Sequence, residues 1–260
     1  MNLLRSLLHM LWMSVTIIPM ALLMMLLAPF ASSRFLYGIG VSWLRLAVGG
    51  GRVLLGISNR VQGLENLPPE EDGPAVLLVK HQSTWDTFVM PLFVRRQLAY
   101  VLKRELLRIP FFGWALARVD MIHIDRNRRA EAFSKLVHQG ARMVRQGRWV
   151  IIFPEGTRVP RGQRGVYRIG GARLAVECGA PVIPVAITSA RCWPPKAFIK
   201  CPGVVDISIG KPIASVDRKP NELMREAENW IEAEMLRLDP DAYPGGQAAL
   251  DGLHAPESDT

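Results

Sequence analysis

Two patterns of apolar positions divide the chain. Residues 6–33, SLLHMLWMSVTIIPMALLMMLLAPFASS, form one run without a formal charge, bounded by Arg5 and Arg34, with His9 inside it. A bilayer core needs about 20 apolar residues in a helix, so this run is long enough to cross a membrane or to lie deep in one. A second stretch, 35–48, is broken by Arg45 and is too short and polar to span; it reads as an interfacial or re-entrant helix. Residues 1–58 are therefore expected to form a membrane-embedded helical anchor. A cleaved signal peptide is the competing reading. Its apolar core runs only about 7–15 residues, and the best small-residue cut, near Ala31, would put Pro29 at the −3 position.

From about residue 60 short apolar runs alternate with amphipathic stretches. The pattern predicts strands at 75–80, 98–103, 119–124, 149–153, 182–188 and 204–209. Between them it predicts helices at 84–96, 105–117, 129–146, 169–178 and 221–238. In the third of these, apolar positions 130, 133, 137, 141 and 144 recur at helical spacing, and in the last the apolar face frays toward Glu234. Strands alternating with helices mean an α/β domain, with a mostly parallel or mixed sheet flanked by helices, over residues 59–238. Residues 239–260 lack periodicity and read as a disordered acidic tail.

Composition adds limits. Hydrophobic residues make up 49% and charged residues 21%, which excludes a mainly disordered chain. Cys178, Cys192 and Cys201 form no CxxC pair and no disulfide framework, as expected of reduced thiols. Charge is more informative. Lys and Arg number 32 against 23 acids, and five of those acids lie beyond Leu238, where there is no Lys or Arg; residues 1–238 thus carry +14. Such a surplus suits nucleic acid, an acidic membrane surface, or phosphorylated and CoA-like substrates. Arg34, Arg45, Arg52 and Arg60 outweigh Arg5 across the anchor, so the domain after it is expected to face the cytoplasm, at the inner membrane.

No GxSxG elbow, Walker A loop or zinc-ligand spacing occurs, and Gly38-Ile-Gly40 is followed by Trp43 where a dinucleotide fingerprint needs Gly. What remains is a dispersed constellation. His81-Gln-Ser-Thr-Trp-Asp86 follows the strand at 75–80. On one continuous helix His81 and Asp86 would stand about 140° apart. If His81 ends the strand and Ser83 or Thr84 caps the next helix, Asp86 can turn back to the imidazole. A carboxylate on one ring nitrogen leaves the other free to take a proton: the base half of a triad, with a substrate hydroxyl as nucleophile. A plain structural hydrogen bond is the alternative. Phe153-Pro-Glu-Gly-Thr-Arg158 closes the strongest strand, at the sheet edge where α/β proteins bind ligands; a tight turn with a surface Glu–Arg pair is its bland counterpart. Lys103, ahead of Arg104, and Ile124-Asp-Arg126 supply further cations at strand ends, with Arg suited to bidentate phosphate contact.

These blocks together, with Val182-Ile-Pro184-Val and the connecting KRELLRIPFFGW, closely resemble the glycerolipid acyltransferase family, among them the bacterial enzymes that acylate 1-acyl-glycerol-3-phosphate. The resemblance spans roughly residues 60–215. It implies transfer of a fatty acyl group from acyl-CoA or acyl-carrier protein to the sn-2 hydroxyl of lysophosphatidate, giving phosphatidate. His81 would be the general base and Asp86 its orienting partner. Glu155, Gly156 and Thr157 would shape the acceptor site, and Lys103, Arg126 and Arg158 would hold the acceptor phosphate. No metal or cofactor is implied, because a thioester is already activated. Arg161, Arg164 and Arg168 would meet CoA phosphates, an acidic carrier protein or anionic headgroups, or else form a solvated basic loop. The implied partners are membrane lipids and the acyl donor, with no nucleic acid. The rivals are the same fold with another acceptor, glycerol 3-phosphate or another lysolipid, and a non-catalytic basic binder of lipid or nucleic acid. No helix-turn-helix or aromatic RNP-like motif favours the last.

Overall fold

Alternation within the strands decides how the sheet is covered. Val76 and Leu78 lie against one set of helices while Leu77 and Val79 lie against another, all four fully buried, as a period of two requires of a sheet packed on both faces. The computed structural model describes residues 1–125, 129–244 and 246. The strands are β1 (Ile57–Gln62), β2 (Val76–Val79), β3 (Leu98–Lys103), β4 (Ile122–Ile124), β5 (Trp149–Ile152), β6 (Val182–Ile187) and β7 (Gly203–Ile209). The α-helices are α1 (Asn2–Leu27), α2 (Ser33–Gly50), α3 (Thr84–Phe93), α4 (Phe112–Leu116), α5 (Arg129–Arg145), α6 (Gly170–Cys178) and α7 (Pro220–Leu238).

The described strands form one seven-stranded sheet in the order β1-β7-β6-β2-β5-β3-β4. Every neighbouring pair is parallel except β6 and β7, so the sheet is mixed. On one face α5, α6 and α7 supply Leu136, Val137, Leu174, Leu223 and Ile231 to the core. On the other, α3 brings Trp85, Val89 and Met90. Each such side chain contributes about 1.5–3 kcal/mol by leaving water.

The predicted elements recur with local corrections. The strand expected at 119–124 is confined to Ile122–Ile124. The helix expected at 105–117 divides into a 3-10 turn, Arg104–Arg108, and α4. Pro110 between them has no amide hydrogen, and it disfavours helical backbone at Ile109. The helix expected at 84–96 stops at Phe93. β1 had no counterpart in the sequence reading: ISNRVQ is polar, and it is an edge strand that alternates from buried Ile57 outward. It also lies partly inside the stretch 1–58. At the far end, Asp239 is 1% exposed and accepts from Arg161 and Arg191, so the packed body runs past Leu238; residues 245 and 247–260 lie outside the described part of the tail.

The segment expected to form an anchor folds as two antiparallel helices, α1 and α2. Trp12 Nε1 donates to Leu46 O at 2.9 Å and Trp43 Nε1 to Thr16 Oγ1 at 3.1 Å. Helix α1 is the one described helix long and apolar enough to cross a membrane. Its first turns also bond the α/β body: Ser6 Oγ accepts from the Lys200 amide at 2.9 Å. Toward its other end, Ala21 and Met24 pack with Leu36, Ala115 and Val119.

Candidate active site

β2 ends at Val79, and the chain leaves the sheet through Lys80 and His81. Ser83 then starts α3 with extended backbone, its Oγ accepting from the Trp85 amide at 3.1 Å, while Asp86 closes the reciprocal half of a capping box. Asp86 is fully buried. Its Oδ2 accepts the amide hydrogens of Gln82 at 2.7 Å and Ser83 at 2.8 Å, and lies 3.1 Å from His81 Nδ1. Oδ2 already acts as acceptor to two amides, so the hydrogen in its contact with the imidazole is carried by Nδ1, and Nε2 presents a lone pair. The Phe153 ring stacks on the imidazole with 3.9 Å between centroids and 17° between planes. The His81 side chain is 12% exposed, enough for its unengaged nitrogen to meet a ligand.

β5, the neighbour of β2, ends beside it and leads into the turn after Phe153. Gly156 has φ +69°, a left-handed conformation that other residues resist, and its amide donates to Phe153 O at 3.0 Å. The turn sends its side chains two ways. Thr157 and Arg158 are exposed at the carboxyl edge of the sheet, and Arg158 has no partner among the described residues. Glu155 turns inward. Its side chain is 1% exposed, Oε1 accepts the His81 amide hydrogen at 3.2 Å, and Oε2 is buried without a partner. Burial pushes this carboxyl up to about 7, against the opposing pull of Lys80.

Lys103, the last residue of β3, is exposed at the same edge; parallel β2, β5 and β3 all end there. Arg126 lies outside the described residues. Arg161 and Arg164, for which the sequence left a ligand contact and a solvated loop both open, are ion-paired within the chain. Arg161 makes a bidentate contact with Asp239 at 2.8 Å for each bond, and Arg164 forks onto Glu228 at 2.9 and 2.6 Å. Arg168 stays exposed beside Gly156.

Sequence reasoning missed a buried group behind the dyad: Lys80, Tyr167 and Glu232. Lys80 Nζ lies 2.5 Å from Glu232 Oε1 and 3.7 Å from Glu155 Oε1. The one available signal was a lysine directly before the histidine, which reads equally well as a strand's exit into solvent.

Two cavities flank the site. One of about 270 Å³ is lined by Phe153, Gly156, Arg168 and apolar residues such as Ile124 and Phe133. The other, about 140 Å³ and almost wholly apolar, lies between the two N-terminal helices and the sheet, bounded by Met20, Val41, Phe88, Tyr100, Leu116 and Met121. Tyr100 ties it to the dyad, since its ring is 6.3 Å from that of Phe153. Among the described residues no cluster of three His, Cys, Asp or Glu side chains could hold a metal ion.

A family model described as acyltransferase matches residues 58–188. The chain is 41% identical over 240 residues to the 1-acyl-sn-glycerol-3-phosphate acyltransferase of Pseudomonas aeruginosa, covering 91% of this chain and 92% of that one. It is 28% identical to 1-acyl-sn-glycerol-3-phosphate acyltransferase alpha of Mus musculus, covering 82% and 74% respectively. Among solved structures, that of the 1-acyl-sn-glycerophosphate acyltransferase PlsC from Thermotoga maritima matches with a TM-score of 0.76, covering 92% of this chain and 96% of the other at 24% identity, a likeness of fold.

Proposed function

The chain belongs to the acyltransferase family, and from that premise we propose that it moves a fatty acyl group from acyl-CoA or acyl-carrier protein to the sn-2 hydroxyl of 1-acyl-glycerol-3-phosphate, giving phosphatidate. The observation that carries this reading is the His81–Asp86 pair, with Nδ1 held by the carboxylate and Nε2 unengaged. Nε2 takes the proton of the acceptor hydroxyl as its oxygen attacks the thioester carbonyl. The new C–O bond forms, the tetrahedral oxyanion collapses, the C–S bond breaks, and the imidazolium returns its proton to the departing thiolate. Asp86 stabilises the imidazolium at Nδ1. General base catalysis of this kind is worth about 10²–10⁴-fold. The thioester is already activated, and no step is assigned to a metal or cofactor.

Lys103, Arg158 and Arg126 hold the acceptor phosphate; the first two stand exposed at the edge where the dyad lies. Thr157 and the backbone at Gly156 meet the glycerol. Glu155, being buried, acts on His81 rather than on substrate. The apolar cavity under Tyr100 suits a fatty acyl chain.

The anchor keeps this site at the surface of the inner membrane, on the cytoplasmic side, where the thioester donors are. Helix α1 would extend about 39 Å at 1.5 Å per residue, yet residues near both ends, Ser6 and Met24, contact the rest of the protein. Its other face exposes Leu4, Leu8, Leu11, Val15, Leu22 and Leu26. That arrangement supports a helix lying along one leaflet, apolar face down, over one that crosses.

The test is acyl transfer from labelled oleoyl-CoA and from palmitoyl-carrier protein to lysophosphatidate, glycerol 3-phosphate and other lysolipids. Phosphatidate formed from lysophosphatidate supports the reading, and the better donor identifies itself. Transfer only to another acceptor keeps the chemistry and reassigns the substrate. No transfer to any acceptor overturns it.

A further inference from the structure

Lys80 is a fully buried cation one residue before the proposed base. Its Nζ reaches Glu232 Oε1 on α7 at 2.5 Å, donates to Gln163 O at 3.3 Å, and lies 5.7 Å from the centre of the Tyr167 ring. Tyr167 donates its hydroxyl hydrogen to the same Glu232 oxygen at 2.7 Å. On the other side of Lys80, Glu155 Oε1 lies 3.7 Å away and accepts the His81 amide hydrogen. A polar path thus runs from the last helix, 152 residues away in sequence, to the backbone of the base.

Stability is a poor account of this group. Apolar side chains of similar volume generally do as well as a buried ion pair, because desolvation offsets much of the attraction. What such a pair does fix is position. Glu155 has backbone amides, its own and that of His81, on one side, but its Oε2 is buried without a partner, and burial pushes its carboxyl up to about 7. Glu232 takes the shorter contact with Lys80, so it sets where the ammonium stands, and the ammonium sets where Glu155 stands.

We infer that Glu232 is a positioning residue for acyl transfer: through Lys80 it fixes the Glu155 carboxylate, and Glu155 fixes the backbone of His81 so that Nε2 stays aimed at the acceptor hydroxyl. The catalytic part of this inference rests on the function proposed above. The mechanical part does not.

Glu232→Gln keeps the size of the side chain and an oxygen for Tyr167 and Lys80, removes the charge, and turns the second carboxylate oxygen into an NH2 donor. Lys80 is then drawn to Glu155, and the acceptor leaves the His81 amide. Hydrogen exchange in the full-length protein in detergent, read on a peptide containing His81, should quicken at least tenfold, with β7 peptides unchanged. In the transfer assay kcat should fall at least tenfold while KM for donor and acceptor stays within twofold. The double variant Lys80→Met with Glu232→Gln leaves no unpaired charge and keeps the test open if the single variant fails to fold. It should melt within a few degrees of wild type while kcat stays low. Unchanged exchange at His81, or full kcat in the double variant, overturns the inference. A wild type that transfers no acyl group overturns the proposed function instead, and the exchange result still decides whether Glu232 holds the His81 backbone.

Discussion

Asp86 Oδ2 stands 3.1 Å from His81 Nδ1 while accepting two backbone amide hydrogens, from Gln82 and Ser83. One carboxylate oxygen therefore both caps a helix and orients an imidazole. In Asp86→Asn the amide oxygen can replace some of the acceptor function but not the charge that stabilises an imidazolium. Steady-state kinetics should show kcat lower by about 10²–10⁴-fold, with KM little changed. Loss of charge-assisted hydrogen bonds should also cost about 1.5–3 kcal/mol of stability, read as a lower melting temperature. An unchanged kcat would deny Asp86 its role.

Glu155 predicts a pH dependence of stability. Burial raises its carboxyl from 4.5 to about 7. The folded state then holds a proton that the unfolded state has released, so Glu155 stabilises the fold fully below about pH 4.5, and that contribution is lost as pH rises through 7. The melting temperature of wild type should fall across this window, and that of Glu155→Gln should fall less. Asp239 and Glu234, whose carboxyls are held below their ordinary values, act in the opposite sense at more acid pH. Parallel curves for wild type and Glu155→Gln would contradict the assignment.

Gly156 and Gly147 make a matched pair, with φ of +69° and +75°. A Cβ at Gly156 would come 3.2 Å from Arg168 Nε, the far end of an exposed and movable side chain, and one at Gly147 would meet nothing within 4 Å. Alanine at either position should therefore cost a similar 1–2 kcal/mol of backbone strain. Only Gly156→Ala distorts the turn that carries Thr157 and Arg158, so only it should lose transfer activity, by about tenfold or more. Equal activity in the two variants would remove Gly156 from the site.

The lie of α1 can be tested by where a charge hurts. Leu4, Val15 and Leu26 are 62%, 59% and 71% exposed and sit near the start, middle and end of the helix. In a helix lying along one leaflet, Glu at each of the three should weaken co-sedimentation with anionic vesicles by similar factors. In a crossing helix the end positions reach the interface, where charge is cheaper, and only Val15→Glu should be severe. A large effect confined to Val15→Glu would contradict the one-leaflet reading.

The strands and helices of the domain were largely legible because apolar period and motif placement agreed. AVLLVK and WVIIF are continuous apolar runs, as strands covered on both faces must be. The His81–Asp86 contact was legible for the same reason, as a histidine at a strand end followed by a capping serine. β1 was hidden by its polar edge-strand composition. Lys80 and Glu232 were hidden because a charge is ordinarily solvated; only tertiary contact turns these two into a buried pair. The commitment of Arg161 and Arg164 was equally invisible, since their partners Asp239 and Glu228 lie 78 and 64 residues away.

The most direct test of the central claim is the rate of phosphatidate formation from oleoyl-CoA and lysophosphatidate by wild type and His81→Ala, at equal concentration in the same detergent. His81→Ala removes the contact to Asp86 and the stack on Phe153, so the rates are compared at a temperature where both proteins are shown to be folded. The account predicts phosphatidate from wild type and a rate at least 10²-fold lower from His81→Ala. A variant that transfers at the wild-type rate would show that the proton leaves the acceptor by another route, and the dyad would lose its place at the centre of the mechanism.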